Sequence, residues 1–364
     1  MRDINNKFGS QKMWTLSDGA KLSEKETKGV ISAYIACTAC LSVYTDMLSY
    51  ISKYPYGENK DINFTSHLNE LTDIAIVLSC QVTDLSIYND ISVMQEIHEK
   101  YPDITVYCGG CLAQRFDIPL PKYVRRMDVE RAENTPLTKD AFTKIDYRKP
   151  FWNKDLPDDA DDFEDGNLFR HMYPLKVGAG CHGGCKYCTI RDTRGPSYAL
   201  DASSQVQEFL EHDDVVIVCD APSVKQIKDW CAIAEEHNKA ISFRNVEPPV
   251  ANMCHDALIS LGKKGLLKIF HCPVQTMNED LLKAMNRDAK ATFEYINNTR
   301  KDLRELGVKV ATNIIIDYVY EGISYENPSD AQMKELFNYY VWNPYFDGKF
   351  NWQKAKDRFE HYIR

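Results

Sequence analysis

The 364-residue chain has no apolar run long enough to cross a bilayer, so no membrane-spanning helix and no membrane partner are expected. Its first residues, MRDINNKFGSQKMW, carry neither an apolar core nor a small-residue cleavage site. No secretory signal is read there, and a soluble cytoplasmic protein is expected. Positive charge is also in short supply: 44 Lys and Arg stand against 53 Asp and Glu, a net charge of −9. That balance argues against a broad nucleic-acid footprint, though it leaves room for a local basic patch. There is no Gly-x-x-x-x-Gly-Lys-Ser/Thr and no Gly-x-Ser-x-Gly, so phosphate-loop and serine-nucleophile chemistry lack their spacing. No internal repeat with a period of roughly 20–50 residues is present, which removes solenoids and propellers.

What is present is cysteine, twelve of them. In a reducing compartment these do not read as a disulfide framework, and metal or cluster ligation becomes the leading explanation for some. Hydrophobic residues make up 44% of the chain and length is sufficient for two domains. Residues 1–28 read as a polar tail. Short apolar runs at 30–36, 73–79 and 104–110, with helical stretches at 41–52 and 88–100, predict a small α/β domain with a parallel sheet over 29–127. Residues 128–168 read as a charged, solvated linker; DLPDDADDFEDG at 155–166 alone has seven acidic side chains.

A second alternation occupies 169–353. Strands are expected at 172–178, 215–219, 240–245, 266–274, 309–318 and 344–350. Helices are expected at 203–212, 223–238, 251–261, 279–287, 291–306 and 329–341, with Asn278 capping the fourth ahead of Glu279 and Asp280. Six strand–helix units in succession predict a partial or full parallel barrel. A final helix is expected at 354–364.

The chemistry concentrates after the first strand of that second domain. Gly180-Cys181-His182-Gly183-Gly184-Cys185-Lys186-Tyr187-Cys188 places three thiols within eight residues. Thiolates are soft ligands suited to iron–sulfur clusters, and three of them leave one iron of a [4Fe–4S] cluster open. A zinc knuckle is the alternative. Zinc favours two close pairs or a Cys/His quartet, and His182 lies directly beside Cys181, badly placed to reach the same ion.

This spacing resembles the radical S-adenosylmethionine (SAM) signature. More specifically, MYPLKVGAGCHGGCKYCTIRDTRG at 172–195 resembles the methylthiotransferases that modify tRNA and a ribosomal protein. HCPVQTMNEDLLKAMNR at 271–287 is similar to a second segment of that family. The resemblance implies an α/β fold: a small N-terminal domain with a parallel sheet, then a radical SAM partial (βα)6 barrel. It also implies SAM and two [4Fe–4S] clusters as cofactors. Cys181, Cys185 and Cys188 would hold the SAM-binding cluster. ACLSVYTDML at 39–48, DIAIVLSCQVTD at 73–84 and YCGGCLAQRF at 107–116 resemble the family's other ligand segments, so Cys40, Cys80 and Cys111 would hold the auxiliary cluster. Each follows an apolar strand, and strand ends of a parallel sheet converge on one edge. A structural zinc on Cys37, Cys40, Cys108 and Cys111 stays open as the alternative, with the wide separation of the pairs against it. Cys219, Cys231, Cys254 and Cys272 have no partner at useful spacing and read as packing.

The implied chemistry is reductive cleavage of SAM to a 5′-deoxyadenosyl radical, hydrogen abstraction from an unactivated C–H bond, and methylthio insertion. Tyr187, Arg244 and Gln275 are candidate SAM contacts, each with a purely structural alternative. A reducing partner such as flavodoxin or ferredoxin is implied. The sequence departs from the family in two places. Asp220-Ala221-Pro222 replaces a glycine-containing strand end, and Asp317-Tyr318-Val319-Tyr320-Glu321 replaces a Gly-Phe-Pro-Gly-Glu turn. It also stops without the TRAM domain that grips substrate in the family. With a net charge of −9 this favours a peptide or protein substrate, such as a ribosomally made precursor peptide, over tRNA. Sulfur insertion or thioether formation without methylation is the second enzymatic reading, and an iron–sulfur electron carrier the non-enzymatic one.

Overall fold

The computed structural model describes residues 101–126 and 172–344 continuously. It also describes 72–81, 84–100, the strand backbones at 30–37 and 61–65, and isolated residues such as Ser42, Val43, Thr45 and Phe169. The expected tail at 1–28, almost all of the linker at 128–168, the C-terminal helix at 354–364, and Cys40 lie outside the described residues. The chain divides into two compact units, Met1–Arg170 with Lys349–Arg364, and His171–Gly348.

In the first unit five parallel strands run in the order β2-β1-β3-β4-β5: β1 (Val30–Cys37), β2 (Asp61–Thr65), β3 (Ile74–Ser79), β4 (Thr105–Gly110) and β5 (Val124–Arg126). The central three were expected. β2 (DINFT) and β5 (VRR) were not, because an edge strand needs little apolar patterning and leaves little to read. The helix Asp84–Lys100 begins four residues earlier than the expected 88, with an acid in its first turn. Its Ile87, Ile91, Met94 and Ile97 fall on one stripe and pack with Ala75, Val77, Val106 and Cys108 of the sheet.

In the second unit six strands form one parallel sheet in chain order: β6 (Tyr173–Lys176), then, after the short β7 (Gly178–Ala179) and β8 (Tyr198–Ala199), β9 (Val215–Val218), β10 (Ile241–Phe243), β11 (Leu267–His271), β12 (Lys309–Ile316) and, past the hairpin β13 (Val319–Tyr320) and β14 (Ile323–Ser324), β15 (Tyr339–Pro344). Helices separate them. Ser223 and Gln226 form a reciprocal capping box that starts Val224–Glu236, whose Ile227, Trp230, Cys231 and Ala234 are buried at helical spacing. Asn278 caps Glu279–Ala284 as expected, accepting from Leu281 N at 2.9 Å. β9 reads Val-Val-Ile-Val and is buried on both faces, as a central parallel strand requires. Burying side chains such as Trp230, Phe243 and Phe270 stabilises the unit by about 1.5–3 kcal/mol each.

The end of the last helix is a correction. It lies at Leu336, not 341, and a strand follows at Tyr339–Pro344; residues 345–350 of the strand expected at 344–350 lie outside the described residues. Tyr339-Tyr340-Val341-Trp342 is aromatic and β-branched, and that preference ends the helix at Phe337, whose backbone is already extended.

Candidate functional site

Beyond β6 the chain forms β7, travels out through 180–197 and returns as β8, which pairs antiparallel with β7 (Gly178↔Ala199, Ala179↔Tyr198). The three-thiol segment is therefore a loop closed at its base, standing at the C-terminal end of a barrel-type strand. Gly180 has φ +77°, and a Cβ there would sit 2.4 Å from Pro196 O; only glycine admits the approach of the two limbs. Cys181 N donates to Gly195 O across the base at 3.1 Å. Beneath it, Asp220 Oδ2 accepts from Gly180 N at 2.8 Å and from Arg194 Nε at 2.5 Å, and the Arg194 and Asp220 side chains are 4% and 6% exposed. Arg194 lies at the end of the matched segment 172–195 and Asp220 opens a departure from the family; the structure makes them an ion pair that fixes the loop to the end of β9.

Each of the three thiols receives an N–H donor. Gly183 N reaches Cys181 Sγ at 3.1 Å, Ile190 N reaches Cys188 Sγ at 3.5 Å, and the Arg287 guanidinium reaches Cys185 Sγ at 3.7 Å. Burial pushes Cys188 up to about 12, and the neighbouring Cys185, Cys181 and Glu247 add to it; burial also raises Cys181. Among the described residues no three His, Cys, Asp or Glu side chains are grouped to hold a single metal ion. A cluster takes each thiolate at a different iron, and three half-buried thiols with N–H donors to sulfur fit that chemistry.

The far side of the loop rests on the segment after β11. Lys186 N donates to Met285 O at 3.0 Å, and Asn286 Nδ2 to Gly184 O at 2.9 Å. Tyr187 packs against Leu281, Met285, Ile315 and Tyr318, and burial holds its hydroxyl well above the ordinary range. Lys186 Nζ donates to Tyr320 OH at 2.5 Å, so the hairpin that replaces the family's glycine-rich turn touches the loop.

Of the other candidates, Arg244 follows β10 and its NH1 is a buried nitrogen with no hydrogen-bond partner. It lies near His271, whose pKa is lowered to about 4 by burial and by the Arg244 charge. His271 Nδ1 accepts from Asn245 N at 3.1 Å, so Nε2 carries the proton and donates to Asn313 Oδ1 at 3.0 Å. Gln275 has φ +69° and bridges to Ile314 by parallel backbone pairing, a strained conformation for a residue with a Cβ.

In the first unit, Cys80 and Cys111 each directly follow adjacent strands whose register pairs Ser79 with Gly110. Cys80 N donates to the buried Asp90 Oδ2 at 2.7 Å. Gly110 has φ +77°, and a Cβ there would lie 2.6 Å from Ser79 O and 2.7 Å from Val43, three residues after Cys40. Cys40 itself lies outside the described residues. Cys108 is in the apolar core, its Sγ 3.2 Å from Ser79 Oγ, and burial pushes it up to about 12. Cys219, Cys231, Cys254 and Cys272 are all buried.

Residues 175–326 match the family model of the radical SAM superfamily. The chain carries a radical SAM domain. It is 22% identical over 298 residues to a tRNA-2-methylthio-N(6)-dimethylallyladenosine synthase of Endomicrobium trichonymphae, covering 75% of this chain and 66% of that one. To a ribosomal protein uS12 methylthiotransferase RimO of Thermosipho melanesiensis it is 25% identical over 236 residues, 56% of this chain and 51% of that one. The chain thus spans about half to two thirds of the length of these curated relatives. In fold it is similar to the radical S-adenosylmethionine methyltransferase TsrM of Kitasatospora setae, with a TM-score of 0.50 and 10% identity, covering 86% of this chain and 73% of that one.

Three residues of the radical SAM domain had no assigned role in the sequence reading: Glu247, His271 and Arg287. His271 and Arg287 bound the 271–287 segment, so the resemblance contained them without saying what they touch. Glu247 left only one signal, a charge directly ahead of Pro248-Pro249 at a helix start.

Proposed function

We propose that the chain is a radical SAM methylthiotransferase acting on a peptide or protein. Cys181, Cys185 and Cys188 hold the SAM-binding [4Fe–4S] cluster; Cys40, Cys80 and Cys111 hold the auxiliary one. The observation that carries the first assignment is the closed loop in which every thiol has its own N–H donor. Bound there, these groups supply the reductive cleavage of SAM, the hydrogen abstraction and the inserted sulfur.

The chain's own residues do the positioning. Asp220 and Arg194 hold the loop's base to β9, and Asn286 and Arg287 hold its far side. Arg244 offers a buried, unpartnered N–H to an acceptor such as the SAM carboxylate. Tyr187 and Gln275 line the same strand ends. Because thiols that stay protonated must give up protons on ligation, cluster uptake releases protons and is favoured at higher pH. A flavodoxin- or ferredoxin-type reductant supplies the electron. The net charge of −9 supports a peptide or protein substrate over full-size tRNA.

Mass spectrometry of anaerobic reactions with candidate peptides and with bulk tRNA tests this. Methylthio mass on a peptide, with 5′-deoxyadenosine and S-adenosylhomocysteine both formed, is expected. Modification of tRNA alone overturns the substrate assignment, and 5′-deoxyadenosine without S-adenosylhomocysteine overturns the methylation.

A further inference from the structure

Arg287 is 3% exposed in its side chain, yet it meets four groups from three separate segments. Its NH2 donates to Glu247 Oε2 at 2.5 Å and to Pro273 O at 2.8 Å. Its NH1 is shared among Tyr187 OH at 3.1 Å, Glu247 Oε1 at 3.4 Å and Cys185 Sγ at 3.7 Å. Glu247 therefore grips the guanidinium with both oxygens while the same guanidinium donates to one cysteine of the loop. Structural support alone would be met by a neutral donor. A buried charge costs desolvation and is weak as a stabilising device, so its presence calls for a role that uses the charge.

We propose that the Glu247–Arg287 pair sets the reduction potential of the cluster on the three-thiol loop, Arg287 raising it through Cys185 and Glu247 holding it down. The inference rests on the assignment of that cluster to Cys181, Cys185 and Cys188. Reduction adds one negative charge to the cluster and its thiolates. A positive guanidinium and an N–H bond to sulfur stabilise the reduced form; a carboxylate nearby opposes it. Arg287 acts at short range from a buried side chain, where screening is weak; Glu247, 36% exposed, is partly screened by water. Arg287 is thus a positioning and tuning residue, not a catalytic one.

The test is an anaerobic redox titration of the reconstituted full chain, followed by EPR of the reduced cluster, for wild type, Arg287→Gln, Arg287→Lys and Glu247→Gln. The auxiliary ligands Cys80 and Cys111 are replaced by Ala throughout, so one cluster is read. We expect Arg287→Gln to become harder to reduce and Glu247→Gln easier. Each should change the reduced-to-oxidised ratio at fixed potential by about tenfold, which is about 59 mV for a one-electron couple. Arg287→Lys, which keeps the charge, should stay nearer wild type than Arg287→Gln. Opposite signs are the readout that a packing role does not produce. If Arg287→Gln fails to take up iron, Glu247→Gln alone decides. Loaded variants with unmoved potentials, or shifts of the same sign, overturn this inference and leave the cluster assignment standing. A parent protein that binds no iron at the loop overturns the assignment and the inference with it.

Discussion

Two cysteine sites lie at strand ends of two parallel sheets, and they are built in opposite ways. In the radical SAM domain all three thiols sit on one loop of eight residues, pinned at its base by Asp220 and on its far side by Asn286 and Arg287. In the first unit Cys80 and Cys111, 31 residues apart in sequence, each follow a strand, and the register of β3 on β4 brings them to neighbouring positions. One device is common to both. A glycine at φ +77° stands immediately before the cysteine, Gly180 before Cys181 and Gly110 before Cys111, at a point where a Cβ would strike the backbone. The three thiols of the loop are kept near one another by chain connectivity. A register-built site depends on the whole sheet.

The largest effect that breaks this comparison is removal of thiols. Cys181→Ala, Cys185→Ala or Cys188→Ala should abolish SAM cleavage under dithionite. Cys80→Ala or Cys111→Ala should leave 5′-deoxyadenosine formation in place and abolish only sulfur transfer to product. Quantifying both products by mass spectrometry separates the two sites; loss of SAM cleavage in the Cys80 variant would contradict the division of labour.

Next in size is the latch under the loop. Asp220→Ala removes a buried carboxylate from Arg194 and the acceptor from Gly180 N. A loss of about 3–5 kcal/mol is expected in denaturant melts. Asp220→Asn, which keeps an acceptor but not the charge, should fall between. An Asp220→Ala protein as stable as wild type would show that the loop holds itself.

A pH effect of up to about 3 kcal/mol is expected from His271, whose folded pKa of about 4 lies below the ordinary 6.5. As pH falls, the unfolded chain takes up the proton first, so stability present above about pH 6.5 is lost progressively down to about pH 4. His271→Gln should flatten this part of the Tm-against-pH curve, because Gln still offers a donor to Asn313. The two glycines are the last comparison: Gly110→Ala and Gly180→Ala should each cost more than the about 1–3 kcal/mol of a left-handed backbone alone, because the added Cβ also meets a backbone oxygen at 2.6 and 2.4 Å. If the comparison holds, Gly110→Ala lowers iron content more than Gly180→Ala at equal loss of Tm, since it disturbs register.

Local patterns made one site legible in the sequence and left the other half hidden. The three-thiol spacing could be read directly, as could β6 and the four inner strands of the second sheet, because buried parallel strands are continuous apolar runs. What holds the loop could not be read. Asp220, Glu247 and Arg287 act across 26, 40 and 102 residues of chain, and no local pattern announces a partner at that distance. The strand Tyr339–Pro344 was read in part as helix because the helix pattern before it has no glycine or proline to stop it; only the β preference of Tyr-Tyr-Val-Trp marks the change. The edge strands β2 and β5 were missed for the reason edges usually are: one side has no neighbour to demand apolar residues.

If two separately built sites each hold a cluster, removing the thiols of one leaves the iron of the other. Iron and acid-labile sulfide in anaerobically reconstituted wild type, measured against the Cys181→Ala/Cys185→Ala/Cys188→Ala variant, test it most directly. About eight irons per wild-type chain and about four in the variant are expected, as two four-iron clusters require. One zinc with about four irons in wild type, or a variant that loses all its iron, would contradict it.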